Sequence, residues 1–260
     1  ASITPFGLTG PYRNYKAYDI NLAAAGGICQ GLGVADREPL TFGTPQVGYF
    51  AGTAAASSIV MSLLARDGPS TGSEQALGAG QHIDIAEVEA MSGIYNGPEA
   101  LMAVYQWRVT RRTGHHALDF PYPNCILRCK DGYIFAGSPE GRQWRKLLEL
   151  MGDPQWAKDP RFTNRTVMNN EYADELDGYV EAWLMNYTKA ELLEIALEHR
   201  IPLAPVRGYD EVRHDESLAG LFVDIDRPDT GPLPLPGLPY TLAGAQTGPP
   251  APAPHLGQHN

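Results

Sequence analysis

The pattern of hydrophobic and polar positions in the first 110 residues predicts alternating strands and helices. Residues 1–12 read as the end of a strand followed by an ordered Gly/Pro loop. The stretch 49–66 is predominantly apolar and favours a helix. Residues 82–86 alternate polar and apolar side chains as a strand does, and a helix is predicted from about residue 87 to 107.

The second half begins with a hairpin pattern. Alternation at 125–128 and 133–136 flanks the turn sequence Lys130-Asp131-Gly132. Thr188 and Glu191 have the spacing of a capping box at the start of a helix. Further helices are predicted at 140–151, 171–186 and 188–199. The pattern indicates α/β structure in the first part of the chain and α+β structure in the second.

Two segments depart from simple periodicity. No charged residue occurs between Pro39 and Ala65, but glycines, Pro45 and frequent Ser and Thr interrupt the segment, so a buried helix is predicted and not a membrane span. From about Asp226 the chain is dense in Pro and Gly, which predicts an extended surface tail without regular structure.

Composition narrows the class of protein. The 260 residues are 43% hydrophobic and carry a formal net charge of −10, which fits a soluble globular protein and argues against a nucleic-acid or anionic-membrane partner. Three cysteines argue against a disulfide scaffold and suit the cytoplasm. Cys125 and Cys129 lack the spacing of a zinc site, and no metal site is predicted.

Isolated patterns assign little chemistry. The glycine pairs do not follow a dinucleotide or phosphate-loop fingerprint. His115 and His116 are expected to be solvated loop histidines, because the sequence does not show convergent ligands for a metal. The basic cluster 108–116 could bind phosphate or be a solvated linker, and the acidic stretch 171–181 is expected to be a solvated helix face.

Longer blocks give a resemblance to a known family. The blocks follow the family's order and approximate spacing, and they are Ser2–Tyr12, Lys16–Asn21 with Gly26-Gly27, Gly80–Ala90, Asp131–Tyr133, Gln143-Trp144, Asp159–Phe162, Ile201–Val206 and Pro254–Asn260. Together they resemble the family III CoA-transferases, a group that includes formyl-CoA and carnitine-CoA transferases and the 2-methylacyl-CoA racemases.

The resemblance implies an activity and a substrate site. Family members move CoA between carboxylic acids: an aspartate attacks the acyl-CoA thioester, a mixed anhydride forms as CoA thiolate leaves, and the thiolate then gives an aspartyl-CoA thioester. CoA and acyl-CoA would be substrates, and no permanently bound cofactor is implied. Lys16 and Tyr18 fall on family positions that line the CoA site; the alternative is an exposed lysine and a core tyrosine.

The departure from the family pattern lies at position 48. The resemblance places the nucleophilic aspartate there, but this chain has Gly48 within an otherwise intact frame. The racemase branch uses a histidine where this chain has Tyr18, so both racemase groups are missing. No catalytic residue is assigned, and Asp19 and Asp84 are the candidate alternative carboxylates.

Three hypotheses follow. The first is the subunit of a heteromeric CoA-transferase that lacks the aspartate and acts on acyl-CoA and carboxylic acid pairs. The second is a divergent acyl-CoA-using lyase, isomerase or hydrolase. The third is a non-catalytic CoA-binding or structural module.

The family fold implies domain bounds and a partner. It has a Rossmann-like large domain, here 1–107 and 215–260, and a smaller α/β domain at 120–205, joined by linkers 108–119 and 206–214. Two such chains interlock, so a homodimer, or a heterodimer with an Asp-bearing homologue, is expected. The resemblance also implies that this sequence begins after the N-terminal part of the large domain.

Overall fold

The computed structural model describes residues 1–67, 78–95, 103–107, 112–117, 119–227, 231–240, 243–244 and 252–258. Together they form a mixed α/β structure with one parallel strand pair and two antiparallel sheets.

The first part places short strands against helices. The strands β1 (Ser2–Thr4) and β2 (Asp84–Ala86) pair in parallel, with Ile3 opposite Ile85. The helices of this part are α1 (Asp19–Ala25), α2 (Ile28–Gly31), α3 (Gln46–Asp67) and α4 (Glu87–Tyr95). Leu22, Val47 and Met91 come from three of these helices and form one buried cluster. This cluster fixes the start of α3 beside α1.

The second part is built on a three-stranded antiparallel sheet. Its strands are β3 (Asn124–Cys129), β4 (Gly132–Gly137) and β5 (Leu203–Pro205), with β4 in the centre. Its helices are α5 (Gly141–Leu150), α6 (Arg165–Glu171), α7 (Ala173–Leu184) and α8 (Lys189–His199). The largest buried cluster runs from Tyr122 to Leu203 and joins these helices to the sheet.

The hairpin and the helices α5, α7 and α8 confirm the predictions from sequence, whereas α6 was not predicted. Cys125 pairs with Ala136 across β3 and β4. The Thr188 hydroxyl accepts from the Glu191 amide, and the Glu191 carboxylate accepts from the Thr188 amide, which is the predicted capping box. Local spacing fixes such elements because their partners lie a few residues apart.

The Pro-rich tail is a correction. Helix α9 (Tyr209–His214) precedes β6 (Phe222–Arg227), which pairs antiparallel with β7 (Gly231–Pro236). The prediction of a tail without regular structure is therefore wrong at 231–236. Prolines cannot donate to a strand ladder, but they alternate in β7, and in a two-stranded sheet such positions can face away from the partner strand.

Helix α3 also differs from its prediction. Val47, Ala51 and Ala55 form a buried stripe, but Ile59 and Leu63, which continue the same spacing, are 39% and 44% exposed. The prediction of a buried helix therefore holds only for its first half. By length and composition α3 is the one helix in the described ranges that could cross a membrane, with a mean hydropathy of 1.5, a test that core helices of soluble proteins also pass.

Candidate functional site

The first residue of α1, Asp19, contacts the first turn of α3. Its Oδ1 accepts hydrogen bonds from the backbone amides of Val47 at 2.8 Å and Gly48 at 3.3 Å. The first amides of a helix have no partner within the helix, and a carboxylate there is favoured by the helix dipole. The structure therefore brings Asp19 to Gly48, the position at which the resemblance implies the family aspartate, and gives Asp19 the role of a cap.

Gly48 lies on an open part of the surface. A Cβ built on Gly48 would have no atom within 4 Å. At Gly26, by contrast, a Cβ would lie 3.0 Å from the Leu22 carbonyl oxygen and 3.3 Å from the Met91 Cγ. Packing therefore requires a glycine at 26 and not at 48, and a larger side chain would fit at the position where the resemblance places the nucleophile.

Lys16 and Tyr18, the residues predicted to contact CoA, lie just before α1, and both are exposed. The Tyr18 side chain is 83% exposed, while its backbone amide donates to the Asn21 Oδ1 at 3.0 Å and so begins α1. The alternative of a core tyrosine is therefore wrong. Both side chains are accessible to a ligand near the start of α3.

Asp84, the second candidate carboxylate, orders the first loop. Its Oδ2 accepts from the Leu8 amide at 2.8 Å. The loop and β2 enclose a cavity of about 260 Å³ whose lining includes Phe6, Tyr12 and Asp84. This contact shows a positioning role for Asp84 in the Gly/Pro loop.

Arg112 is the arginine of the basic cluster 108–116 that the structure describes. Residues 108–111 lie outside the described residues. The Arg112 Nε donates to the Val34 carbonyl at 3.0 Å, and its Nη2 donates to the carbonyls of Ala35 at 3.2 Å and Arg37 at 2.9 Å. The guanidinium therefore holds the 34–37 loop, and its donors are directed to backbone oxygens.

A second group of polar side chains was not identified from the sequence. His115 Nε2 and His116 Nε2 lie 2.9 Å and 2.8 Å from the same oxygen of Asp177, its Oδ2. The Tyr122 hydroxyl donates to Asp177 Oδ1 at 3.0 Å. The prediction of a solvated loop is wrong for His116, whose side chain is 6% exposed.

Asp177 likewise corrects the interpretation of 171–181 as a solvated face. It is 8% exposed and lies between the fully buried Leu176 and Val180 on α7. An acidic residue inside an apolar helical stripe was a signal for a buried polar contact. Its histidine partners, 61 and 62 residues away, gave no such signal.

Burial and hydrogen bonding oppose each other at Asp177. Burial raises the pKa of the carboxyl, but the hydrogen bonds from His116, His115 and Tyr122 outweigh it and hold the pKa below its usual range. Burial, with the Asp177 charge, raises the pKa of Tyr122 well above its ordinary value. The tyrosine is therefore a neutral donor to an ionised carboxylate.

The chain as a whole can be compared with known proteins. A sequence model of CoA-transferase family III matches residues 1–260. A succinyl-CoA–D-citramalate CoA-transferase from Chloroflexus aurantiacus is 30% identical, with 99% of this chain and 62% of the relative covered. A formyl-CoA:oxalate CoA-transferase from a Bradyrhizobium species is 28% identical, with 94% and 60% covered.

A solved structure gives the same result for the fold. A CAIB/BAIF family protein from Brucella suis superposes with a TM-score of 0.78 at 27% identity, and the match covers 99% of this chain and 64% of that one. The chain thus spans less than two thirds of the length of these relatives. Because the family match runs over the entire sequence, the chain belongs to CoA-transferase family III.

Proposed function

We propose that this chain acts in the transfer of CoA between acyl-CoA thioesters and carboxylic acids in the cytoplasm, as the subunit of a heteromeric CoA-transferase that lacks the nucleophilic aspartate. The proposal rests on the glycine at position 48, where the resemblance implies the nucleophilic aspartate, and it is supported by a family match over residues 1–260. The two CoA-transferases described above each pair a CoA thioester with a carboxylic acid in their names, which supports the substrate class proposed for this chain.

A glycine in place of an aspartate at position 48 would change the chemistry of the site without changing the fold. Open space at its Cβ position means that the fold does not require glycine there. Neither nearby alternative is poised to replace the nucleophile, because Asp19 Oδ1 caps α3 and Asp84 Oδ2 holds the Leu8 amide. A carboxylate that already accepts from amides is a weaker nucleophile, so an aspartate on another chain is the better source.

The exposed part of α3 supports a partner chain. Val60, Met61 and Leu64 are 56%, 61% and 68% exposed near its C-terminal end. Contiguous apolar surface of this kind commonly marks a protein interface. We propose a dimer with the interlocked arrangement of the family, formed with an Asp-bearing homologue, and a homodimer is the alternative assembly.

The two-domain organisation belongs to the same proposal. The largest buried cluster draws all its members from residues 122–203 among the described residues, which supports a small domain at 120–205. Residues 1–107 and 215–260 would belong to the Rossmann-like large domain, with linkers at 108–119 and 206–214.

CoA recognition is proposed at Lys16 and Tyr18. The ammonium group of Lys16 would bind a CoA phosphate, and the exposed Tyr18 ring would contact the nucleotide. Titration calorimetry with CoA should show about tenfold weaker binding for Lys16→Ala, since a hydrogen bond to a charged group contributes about 1.5 kcal/mol. Lys146→Ala, which removes a surface lysine on α5, is the control and should bind as wild type does.

The heteromeric proposal is tested by purification from the native source without denaturant. We expect a second homologous chain that carries aspartate at the position of Gly48, and thioester exchange by the pair. Replacing that aspartate by alanine in the partner should abolish exchange. Gly48→Ala in this chain should leave exchange unchanged, because the methyl group fits.

Two results of the exchange and CoA-binding experiments would favour another function. Thioester exchange by this chain alone, with a covalent adduct trapped on Asp19 or Asp84, would favour the divergent enzyme. CoA binding without exchange in any assembly would favour a binding module.

A further inference from the structure

Three side chains far from Gly48 in sequence converge on one point. His115 Nε2, His116 Nε2 and an Asp177 oxygen all lie within 4.8 Å of one another. Two imidazole nitrogens and one carboxylate oxygen form a donor set typical of Zn²⁺ sites that keep a position open for water. We propose that His115, His116 and Asp177 form a binding site for Zn²⁺.

Zinc binding requires the three ligand atoms, which lie within 4.8 Å of one another, to take up tetrahedral spacing. Zinc bonds of about 2.0–2.1 Å at tetrahedral angles place neighbouring ligand atoms about 3.3 Å apart. The two nitrogen–oxygen distances of 2.9 Å and 2.8 Å therefore need to lengthen by about half an ångström each. The His115 side chain is 49% exposed, so it can rotate, and its open side admits a water as the fourth ligand.

The carboxylate is already oriented for this role. The Tyr122 hydroxyl donates to Asp177 Oδ1 at 3.0 Å and leaves Oδ2 directed at both histidines. Fixing one oxygen of a ligating carboxylate by a neighbouring donor is a common feature of protein metal sites. Tyr122 is fully buried, so the orientation is held by the core.

Two unpartnered atoms provide an independent observation. His116 Nδ1 and Asn169 Oδ1 are buried without a hydrogen-bond partner in the described structure, and both residues line one cavity of about 400 Å³. When a neutral His116 donates from Nε2 to Asp177, its Nδ1 is an acceptor and cannot pair with Asn169 Oδ1.

A metal ion resolves this conflict. With Nε2 bound to the metal, the ring proton lies on Nδ1, which becomes a donor in the cavity that His116 shares with the acceptor Asn169 Oδ1. Zinc binding thus moves the single ring proton of a neutral His116 from Nε2 to Nδ1, with no net loss of a proton, and gives a donor at an atom that the hydrogen-bonded form leaves unpaired.

A zinc ion at this site would link the segment 112–117 to α7. The segment 112–117 that carries both histidines also contacts the 33–37 loop, where the Gly114 amide donates to the Gly33 carbonyl at 2.9 Å. Zinc bound to Asp177 would join this segment to α7. The bound ion would therefore link the two parts of the chain and keep its fourth position for water.

The proposal is tested on the full chain without an affinity tag, after treatment with a chelator. Titration calorimetry with Zn²⁺ should show one site per chain, and Co²⁺ should give the visible absorption of a tetrahedral complex. His115→Ala should weaken zinc binding at least tenfold and remove the cobalt signal. His199→Ala, which removes a histidine outside the cluster, should change neither.

The variant and the competing ligand can be controlled. His115 is half exposed, so His115→Ala should keep the wild-type circular dichroism spectrum in the absence of metal. Tyr122→Phe should weaken binding by a smaller factor, through loss of orientation. Cys29 is partly accessible, and Cys29→Ser should leave the site intact.

Three results would overturn the proposal. One is the absence of zinc binding at micromolar concentration, and another is unchanged binding in His115→Ala. The third is binding that survives in His115→Ala and is lost in Cys29→Ser, which would place the metal at a thiol.

Discussion

The contact between Asp19 and the first turn of α3 leads to a sharp prediction about stability. Asp19→Ala removes the acceptor of the Val47 and Gly48 amides. Loss of a side-chain cap costs about 0.5–2 kcal/mol, and loss of a negative charge at a helix N-terminus adds about 0.3–1 kcal/mol. Val47 is fully buried, so its amide has little access to replacement water. We therefore expect a loss of about 2 kcal/mol, near the middle of that combined range.

Urea unfolding followed by circular dichroism measures this loss. Asp19→Asn keeps a neutral acceptor, so it should cost less than about half as much as alanine. Asp36→Ala, at an exposed loop position, is the matched control and should unfold as wild type does. Equal stability of wild type and Asp19→Ala would refute the assignment of Asp19 as the cap.

The same contact predicts the result of covalent trapping. Incubation with an acyl-CoA and then hydroxylamine should give no hydroxamate adduct on Asp19, because its Oδ1 is held by two amides. An adduct at Asp19 would contradict this and would favour the divergent acyl-CoA-using enzyme.

Two further predictions concern the packing of a buried side chain and the loss of stability at low pH. Met91→Ala should lower the free energy of unfolding by about 2–5 kcal/mol, measured by urea unfolding, because the fully buried side chain leaves a cavity against Leu22. The hydrogen bonds from Arg161 hold the pKa of Asp159 below its ordinary value of 3.8. Its contribution to stability is therefore present above that pH and is lost as the pH falls through the lowered pKa. Asp159→Asn should flatten the decline of Tm on acidification, and an acid limb as steep as that of wild type would exclude this pair as a source.

The accuracy of sequence-based prediction in this chain follows the range of the interactions. The hairpin at 124–137 and the capping box of Thr188 depend on neighbours within a few residues, and both are confirmed. The β7 strand was missed because proline content argues against a strand, while its pairing with β6 depends on the register between the two strands.

The candidate sites show the same limit more strongly. The position of Gly48 came from the resemblance to a family, and the chain's own pattern gave no reason to select it. The approach of Asp19 to α3 spans 28 residues, and that of His116 to Asp177 spans 61. Side chains this far apart in sequence meet because whole helices and strands pack together. The local hydrophobic periodicity of the sequence does not predict that packing.

Helix α3 connects these observations. Its inner stripe is buried from Val47 to Ala55 and exposed at Ile59 and Leu63, so burial is lost halfway along one helix. At 1.5 Å per residue, Gly48 and Leu63 lie about 22 Å apart along the axis. A partner that covers the exposed end therefore does not, through that contact, place a carboxylate at Gly48. We infer that the proposed Asp-bearing partner would use the aspartate at its own position equivalent to Gly48. This chain would then support the partner's active site and would contribute no nucleophile of its own.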